Sequence, residues 1–315
     1  MTKQPFALFF STILGVVTLG YWALVQAQGQ TQAQQTTPPK FTSFKDAGKL
    51  KIQGSVKPFL PSGFGQSAKP SEGGKRGIPD QIDHRTPMLS RKYPWSTIGR
   101  VQGTTTDGSY HCTGALIGED IVITNAHCVI NPENSKFSQK VQFLPNVIDG
   151  QVKDIRDVAE VVDVVYGTNF KDGAKLDAND WAVMKINKPL GRKYGYLGVK
   201  SVAPSALIRN QKNYFFVGYS GDFPSAKYQQ YFTAGPGWTA SFQAGCSILR
   251  EEANFLLHDC DTAGGSSGGP IIAMVDDEYY IVAINEGEVK NLSTKRDLYN
   301  VAVKIDFLEK LAARN

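Results

Sequence analysis

Helical periodicity is scarce in this chain of 315 residues, and histidine, cysteine, methionine and tryptophan occur only four times each. Each shortage excludes something. The four histidines are scattered, and no two cysteines have the short spacing of a zinc ribbon or finger, so no metal centre is expected. No block of consecutive Lys and Arg stands out, and a formal charge of +5 is mild for this length, so nucleic acid is not an expected partner. No segment repeats at a fixed period, which argues against a solenoid or propeller. Apolar residues at helical spacing occur only near the end, over residues 303–312 (Ile305, Phe307, Leu308, Leu311), where one helix is expected.

What the chain does have is an ordinary globular composition, 41% apolar and 20% charged, from about Ile82 onward. Short β-branched and aromatic runs recur there between Gly, Pro, Asn and Asp clusters: residues 96–101, 113–117, 121–124, 141–143, 157–165, 181–186, 214–217, 237–242, 271–275 and 279–284. Strands this short and this often interrupted indicate an all-β barrel or sandwich rather than alternating βα units.

The N-terminal part reads differently. An apolar run over residues 6–25 follows Lys3, and Val25-Gln26-Ala27 places small residues where a signal peptidase reads. Residues 1–27 are therefore expected to be an export signal cleaved after Ala27. The competing reading is a retained membrane anchor, since about 20 apolar residues can span a bilayer. Residues 28–81 carry a Gln/Thr/Ala tract, Pro38-Pro39, and a Gly-, Ser-, Pro- and Lys-rich stretch, and read as neither helix nor strand. They are expected to be a linker or a propeptide, followed by one folded domain over residues 82–315. Export to a secreted or periplasmic location makes disulfides the natural use of Cys112, Cys128, Cys246 and Cys260. Four cysteines allow three pairings; joining sequence neighbours would close two short loops, each contributing about 3 kcal/mol.

Three local patterns carry chemistry. Thr124-Asn125-Ala126-His127-Cys128 follows an apolar run, Asn179-Asp180-Trp181 opens another, and Asp261-Thr262-Ala263-Gly264-Gly265-Ser266-Ser267-Gly268-Gly269-Pro270 is a glycine-rich turn before Ile271-Ile272. Singly, each has a structural explanation: a His beside a Cys, a turn-forming Asp, a flexible loop. Jointly they supply what a serine nucleophile needs. A hydroxyl must lose its proton to a base, and imidazole titrates near neutrality. A carboxylate must hold that imidazole in one tautomer. Glycines around the serine let backbone N–H groups converge on an oxyanion.

The order His, Asp, Ser in these motifs resembles the chymotrypsin/trypsin superfamily of serine proteases. Gly-Ser-Ser-Gly-Gly-Pro is similar to that family's Gly-Asp-Ser-Gly-Gly-Pro, and Thr-Asn-Ala-His-Cys to its Thr-Ala-Ala-His-Cys. The resemblance covers about residues 82–312. It implies an all-β fold of two six-stranded antiparallel β-barrels with a C-terminal helix. It makes His127, Asp180 and Ser267 the triad, Gly265 and Ser267 the oxyanion-hole donors, and Cys112 the partner of Cys128. Asp83-His84-Arg85-Thr86, Tyr93-Pro94-Trp95 and Gly218-Tyr219-Ser220-Gly221-Asp222 are similar to the bacterial secreted glutamyl-endopeptidase-like branch. One departure matters. Ser266 stands where trypsin-like zymogens keep the Asp that pairs with a freed N-terminus, so that activation switch is not expected.

For substrate preference, the resemblance points to Asp261, Thr262, Ala283 and Asn285. Asp261 lies where trypsin-like enzymes bind Arg or Lys, although the glutamyl branch carries Asp there in a structural role. Asn285 falls where that branch places the His that receives Glu. A basic or neutral side chain before the scissile bond is therefore expected over Glu. His258 reads as part of a pocket wall, and His111 as a strand or loop residue. The expected partners are protein or peptide substrates, with membrane contact only if the N-terminal segment is retained, and the chemistry needs no cofactor. The rival reading is a silent binding protein that keeps the fold, because fold alone does not imply activity.

Overall fold

The structure, a computed structural model, describes residues 37–47, 57–62, 83–105, 108–173, 176–290 and 297–312. All of them fall in one compact unit, Thr37–Asn315. The expected export signal, residues 1–27, lies outside the described residues. Among those residues, no helix is long and apolar enough to cross a membrane.

Sixteen strands are described, in chain order β1 (Lys40–Ser43), β2 (Thr86–Pro87), β3 (Ile98–Thr105), β4 (Gly108–Leu116), β5 (Ile121–Thr124), β6 (Lys140–Pro145), β7 (Ala159–Tyr166) and β8 (Ala182–Ile186). The second half continues with β9 (Gly198–Val199), β10 (Tyr214–Gly218), β11 (Ser241–Cys246), β12 (Ile248–Glu252), β13 (Phe255–His258), β14 (Pro270–Val275), β15 (Glu278–Lys290) and β16 (Asp297–Lys304).

The first sheet runs β1-β7-β6-β3-β4-β5-β8, and pairing of β7 with β8 closes six of these strands into a barrel. Alternation of buried and half-buried residues along β6 shows why: one face is apolar and turned inward. Val101, Leu116, Val122, Phe143 and Met184 fill the interior with almost no exposed surface, each side chain contributing about 1.5–3 kcal/mol by burial. The second sheet runs β12-β13-β16-β15-β14-β10-β11-β2, with β9 beside β15, and forms a curled half-barrel rather than a second closed cylinder. The fold is chymotrypsin-like. Another apolar cluster, including Ile123, Val183, Val217, Ile272 and Ile284, draws residues from both sheets and joins them.

The structure corrects the sequence reading at three places. Residues 28–81 were expected to hold neither helix nor strand, yet β1 lies within them and pairs in parallel with Asp163–Tyr166 of β7. Its short Phe-Thr-Ser run supplies what an open strand edge needs: backbone groups, plus Phe41 against Phe137 at 4.5 Å. Phe44 then meets Trp181 edge-on at 5.3 Å, and Phe59 bridges to Tyr196. The C-terminal helix was expected from residue 303; it occupies Phe307–Ala312, because Val303 continues β16 as the partner of Ile284. Phe307 stacks on Trp181 at 4.0 Å. Finally, the run at 237–242 proves to be loop as far as Ala240, with β11 extending instead to Cys246.

Candidate active site

His127 sits in a single 3-10 turn, Ala126–Cys128, directly after β5. A disulfide from Cys128 to Cys112 in β4 holds that turn, and a second joins Cys246 to Cys260. These are the sequence-neighbour pairings. Asp180 ends the loop before β8. Its Oδ1 accepts the His127 backbone N–H at 2.9 Å and its Oδ2 meets His127 Nδ1 at 2.5 Å. Asn125 Nδ2 donates to the Asp180 carbonyl at 2.6 Å and fixes the loop itself. With Nδ1–H directed at the carboxylate, Nε2 is left as the proton acceptor. Burial opposes the imidazolium, but the Asp180 charge and hydrogen bond outweigh it, so the His127 pKa stands above its ordinary value. Asp180 is buried, while the His127 side chain keeps 23% of its surface exposed, enough to meet a ligand.

Ser267 belongs to the turn before β14. Its Oγ donates to the Glu286 carbonyl at 3.1 Å, and Ser267 and His127 line the same cleft, about 490 Å³ in volume. Gly265 has a φ of +95°, the left-handed region that side chains avoid, and a Cβ there would come within 2.4 Å of His111 Nε2. In this turn the backbone N–H groups of Ser266, Gly268 and Gly269 all find carbonyl partners. Those of Gly265 and Ser267 have none among the described residues.

Thr113 on β4 was missed by sequence reasoning, and it joins the two halves of the site. Its N–H donates to the Ser267 carbonyl at 2.8 Å and its Oγ1 to the Gly265 carbonyl at 2.9 Å, while Oγ1 accepts from Tyr219 N. His111 was read as a strand or loop residue. It lies in β4 with Nε2 2.9 Å from the Tyr219 carbonyl, against the Gly265 turn. Their sequence neighbour Cys112 was the one available signal for either.

The residues assigned to substrate preference have different surroundings. Asp261 accepts the His84 backbone N–H at 2.8 Å and lies 3.4 Å from His84 Nδ1, while its own N–H donates to Gln243. Its carboxylate is therefore tied to the segment before β2. Next to it, Arg85 grips Asp222 with two bonds of 2.7 and 2.9 Å and also holds Asp83. Ala283 is fully buried in the second sheet's apolar cluster and does not line the cleft. Thr262 is half-buried. Asn285 is buried, accepting from His258 Nε2 at 3.1 Å and donating to Ser266 Oγ at 3.3 Å. Burial disfavours protonation of His258 and lowers its pKa to about 4, so it serves as a neutral donor. Ser266 Oγ in turn donates to the Ala263 carbonyl, so the position of the zymogen Asp holds a satisfied hydroxyl.

Cys112, His127 and Cys128 also lie within 4.8 Å of one another, a spacing a metal could use. The two sulfurs are bonded to each other, so the donor set does not fit a metal ion.

Comparison with known proteins agrees with this fold. The family model described as Trypsin matches residues 88–311, well over half of the chain, and the chain belongs to that family. Among its relatives are Serine protease 23 of Rattus norvegicus, 27% identical over 57% of this chain and 45% of that protein, and a CLIP domain-containing serine protease of Anopheles gambiae, 21% identical over 66% and 62%. The chain thus spans about half the length of the curated relatives it matches. The Glu endopeptidase structure is similar in fold, with a TM-score of 0.55 at 22% identity, covering 76% of this chain and 98% of that one. The protease Anisep from Arthrobacter nicotinovorans follows with a TM-score of 0.53 at 17% identity, covering 71% and 97%.

Proposed function

We propose that this protein is an exported serine endopeptidase in which Ser267 is the nucleophile, His127 the general base and Asp180 the residue that orients and charges the base. The observation that carries this reading is the double grip of Asp180 on His127 beside a serine whose turn leaves two N–H groups free. Ser267 Oγ turns from the Glu286 carbonyl to His127 Nε2, transfers its proton there and attacks the scissile carbonyl. The oxyanion forms against the Gly265 and Ser267 N–H groups, and His127 returns the proton to the leaving amine. Water then hydrolyses the acyl-enzyme by the same steps.

Because Asp261 is tied to His84, no carboxylate is offered for a basic substrate side chain, and Asn285 supplies no cation for an acidic one. We therefore refine the preference before the scissile bond to an uncharged side chain. Two disulfides and the apolar run at 6–25 support export, and residues 28–81 are read as a propeptide or linker.

The test is reaction of the protein from Gln28 with a fluorophosphonate probe, read by peptide mapping beside Ser267→Ala. Labelling is expected at Ser267 alone and is absent in the variant. Hydrolysis should fall with acid, through a midpoint above pH 6.5, as His127 protonates. A protein from Gln28 and one from Ile82 that both stay unlabelled would make it a silent relative. Cleavage of a peptide panel only after Glu, Lys or Arg would overturn the uncharged preference.

A further inference from the structure

Glu286 is a buried carboxyl at the centre of the site that the triad chemistry does not use. Its position follows from a register shift. Asn285 pairs with Ala302 and Gly287 with Val301 of β16, so Glu286 is the extra residue of a β-bulge, a device that re-aims a side chain. The side chain leaves the sheet and reaches the loop of the triad acid, where Oε1 accepts the Asp177 N–H at 3.0 Å. The Asp177 carbonyl in turn accepts the Asp180 N–H at 2.7 Å. The carbonyl of the same residue accepts from Ser267 Oγ. One residue thus touches the nucleophile and the acid's loop, one on each side of the barrel junction.

The protonation state follows from its partners. Glu286 is 5% exposed, and its Oε2 is buried without a hydrogen-bond partner. A carboxylate buried with one amide donor and a bare oxygen is poorly stabilised. The charged groups acting on it, Asp180 and Asp177, are both acids. From β16 it meets the stretch of Val301 and Ala302, and from the nucleophile turn Ser267, all uncharged. Two neighbouring carboxyls cannot both ionise cheaply. Asp180 has two N–H donors, one of them from the imidazole, so the negative charge belongs there and the proton on Glu286. Burial, followed by the Asp180 charge, raises the Glu286 pKa to about 9.

We propose that Glu286 is a positioning residue that works as a neutral carboxylic acid, clipping the strand that holds the Ser267 hydroxyl to the loop that carries Asp180, and releasing the clip when it ionises. This rests on the peptidase reading above. Ionisation places a second anion beside Asp180 with no partner for its free oxygen, so the side chain leaves the junction and the loop that carries Asp180 loses its tie through Asp177.

The experiment follows the rate of fluorophosphonate labelling from pH 6 to 10 for the parent protein and for Glu286→Gln, which cannot ionise. The parent rate should fall above about pH 9. The ratio of variant to parent rate should rise at least about fivefold between pH 7 and 10, whatever the variant's rate at pH 7. A constant ratio overturns the proposal.

A second measurement needs no catalysis: melting temperatures from pH 5 to 9 of Ser267→Ala, with and without Glu286→Gln. A group whose folded pKa is raised from 4.5 to about 9 stabilises the fold below 4.5, and that stabilisation is lost as pH rises toward 9. The protein with Glu286 should therefore lose stability relative to the Gln variant across this range, and a flat difference again overturns the proposal. A parent that labels at no pH overturns the peptidase reading, while the melting slope still decides whether Glu286 is a buried neutral acid.

Discussion

The two halves of the molecule use burial differently. The interior of the first barrel is an apolar cluster in a closed cylinder, and the proposed base and its orienting acid, His127 and Asp180, stand on short loops at its rim. The second sheet is curled but open, its apolar cluster is smaller, and a polar chain runs beside it from His258 through Asn285 to Ser266. Asn300 adds a bond to the Cys260 carbonyl. The closed barrel gives those two loops a packed base, and a disulfide and the bonds of Asn125 and Asp180 hold them on it. The half that carries the proposed nucleophile, Ser267, relies on directional bonds, where one lost partner is expensive.

That contrast can be broken or sharpened by substitution. The largest effect is expected at the rim of the first barrel. Asp180→Asn should keep the fold and lower kcat by about 10⁴-fold, because the amide favours the wrong imidazole tautomer. A small loss on a cleaved peptide would mean that His127 is not held as drawn. Next comes the joint between the halves. Thr113→Val removes a hydroxyl that serves both Gly265 and Tyr219, and should cost about 2–4 kcal/mol in urea unfolding, together with reduced labelling of Ser267. If unfolding changes but labelling does not, the joint supports the fold without shaping the oxyanion turn.

The third prediction sets one half directly against the other. Asn285→Leu strands His258 and Ser266 in the second sheet and should cost about 2 kcal/mol. Met184→Leu, a volume-conserving change inside the first barrel, should cost less than about 1.5 kcal/mol. Equal losses would erase the proposed difference between the halves. The smallest effect is expected at the added edge. Phe44→Ala, half-buried against Trp181, should remove about 1 kcal/mol by thermal melting, below the range for a fully buried ring. No change would mean that β1 rests on the barrel without contributing to it.

Much of this architecture was readable before folding. The run at 121–124 became β5 with the same bounds, and most of the other β-branched runs fall within or beside observed strands. Of the strands that escaped notice, β2 and β9 have two residues each, β12 and β16 carry charges, and β13 is a mostly apolar run of four; all are paired by neighbouring strands. The same holds for β1, a polar tetrapeptide that pairs because β7 offers an edge.

For the site, the sequence by itself determined the chemistry-bearing residue types and their order: His127 beside Cys128, Asp180 at a strand start, Ser267 among glycines. Those motifs are local, and their meaning survives without coordinates. The tertiary structure alone decided what each polar group faces. It turned Asp261 toward His84, 177 residues away, buried Ala283, and brought Arg85 to Asp222. It also placed the Glu286 side chain at Asp177, 109 residues away. The reason is physical. A hydrogen bond is short and directional, so its partner is set by where the chain returns in space, and a bulge of one residue suffices to redirect a side chain.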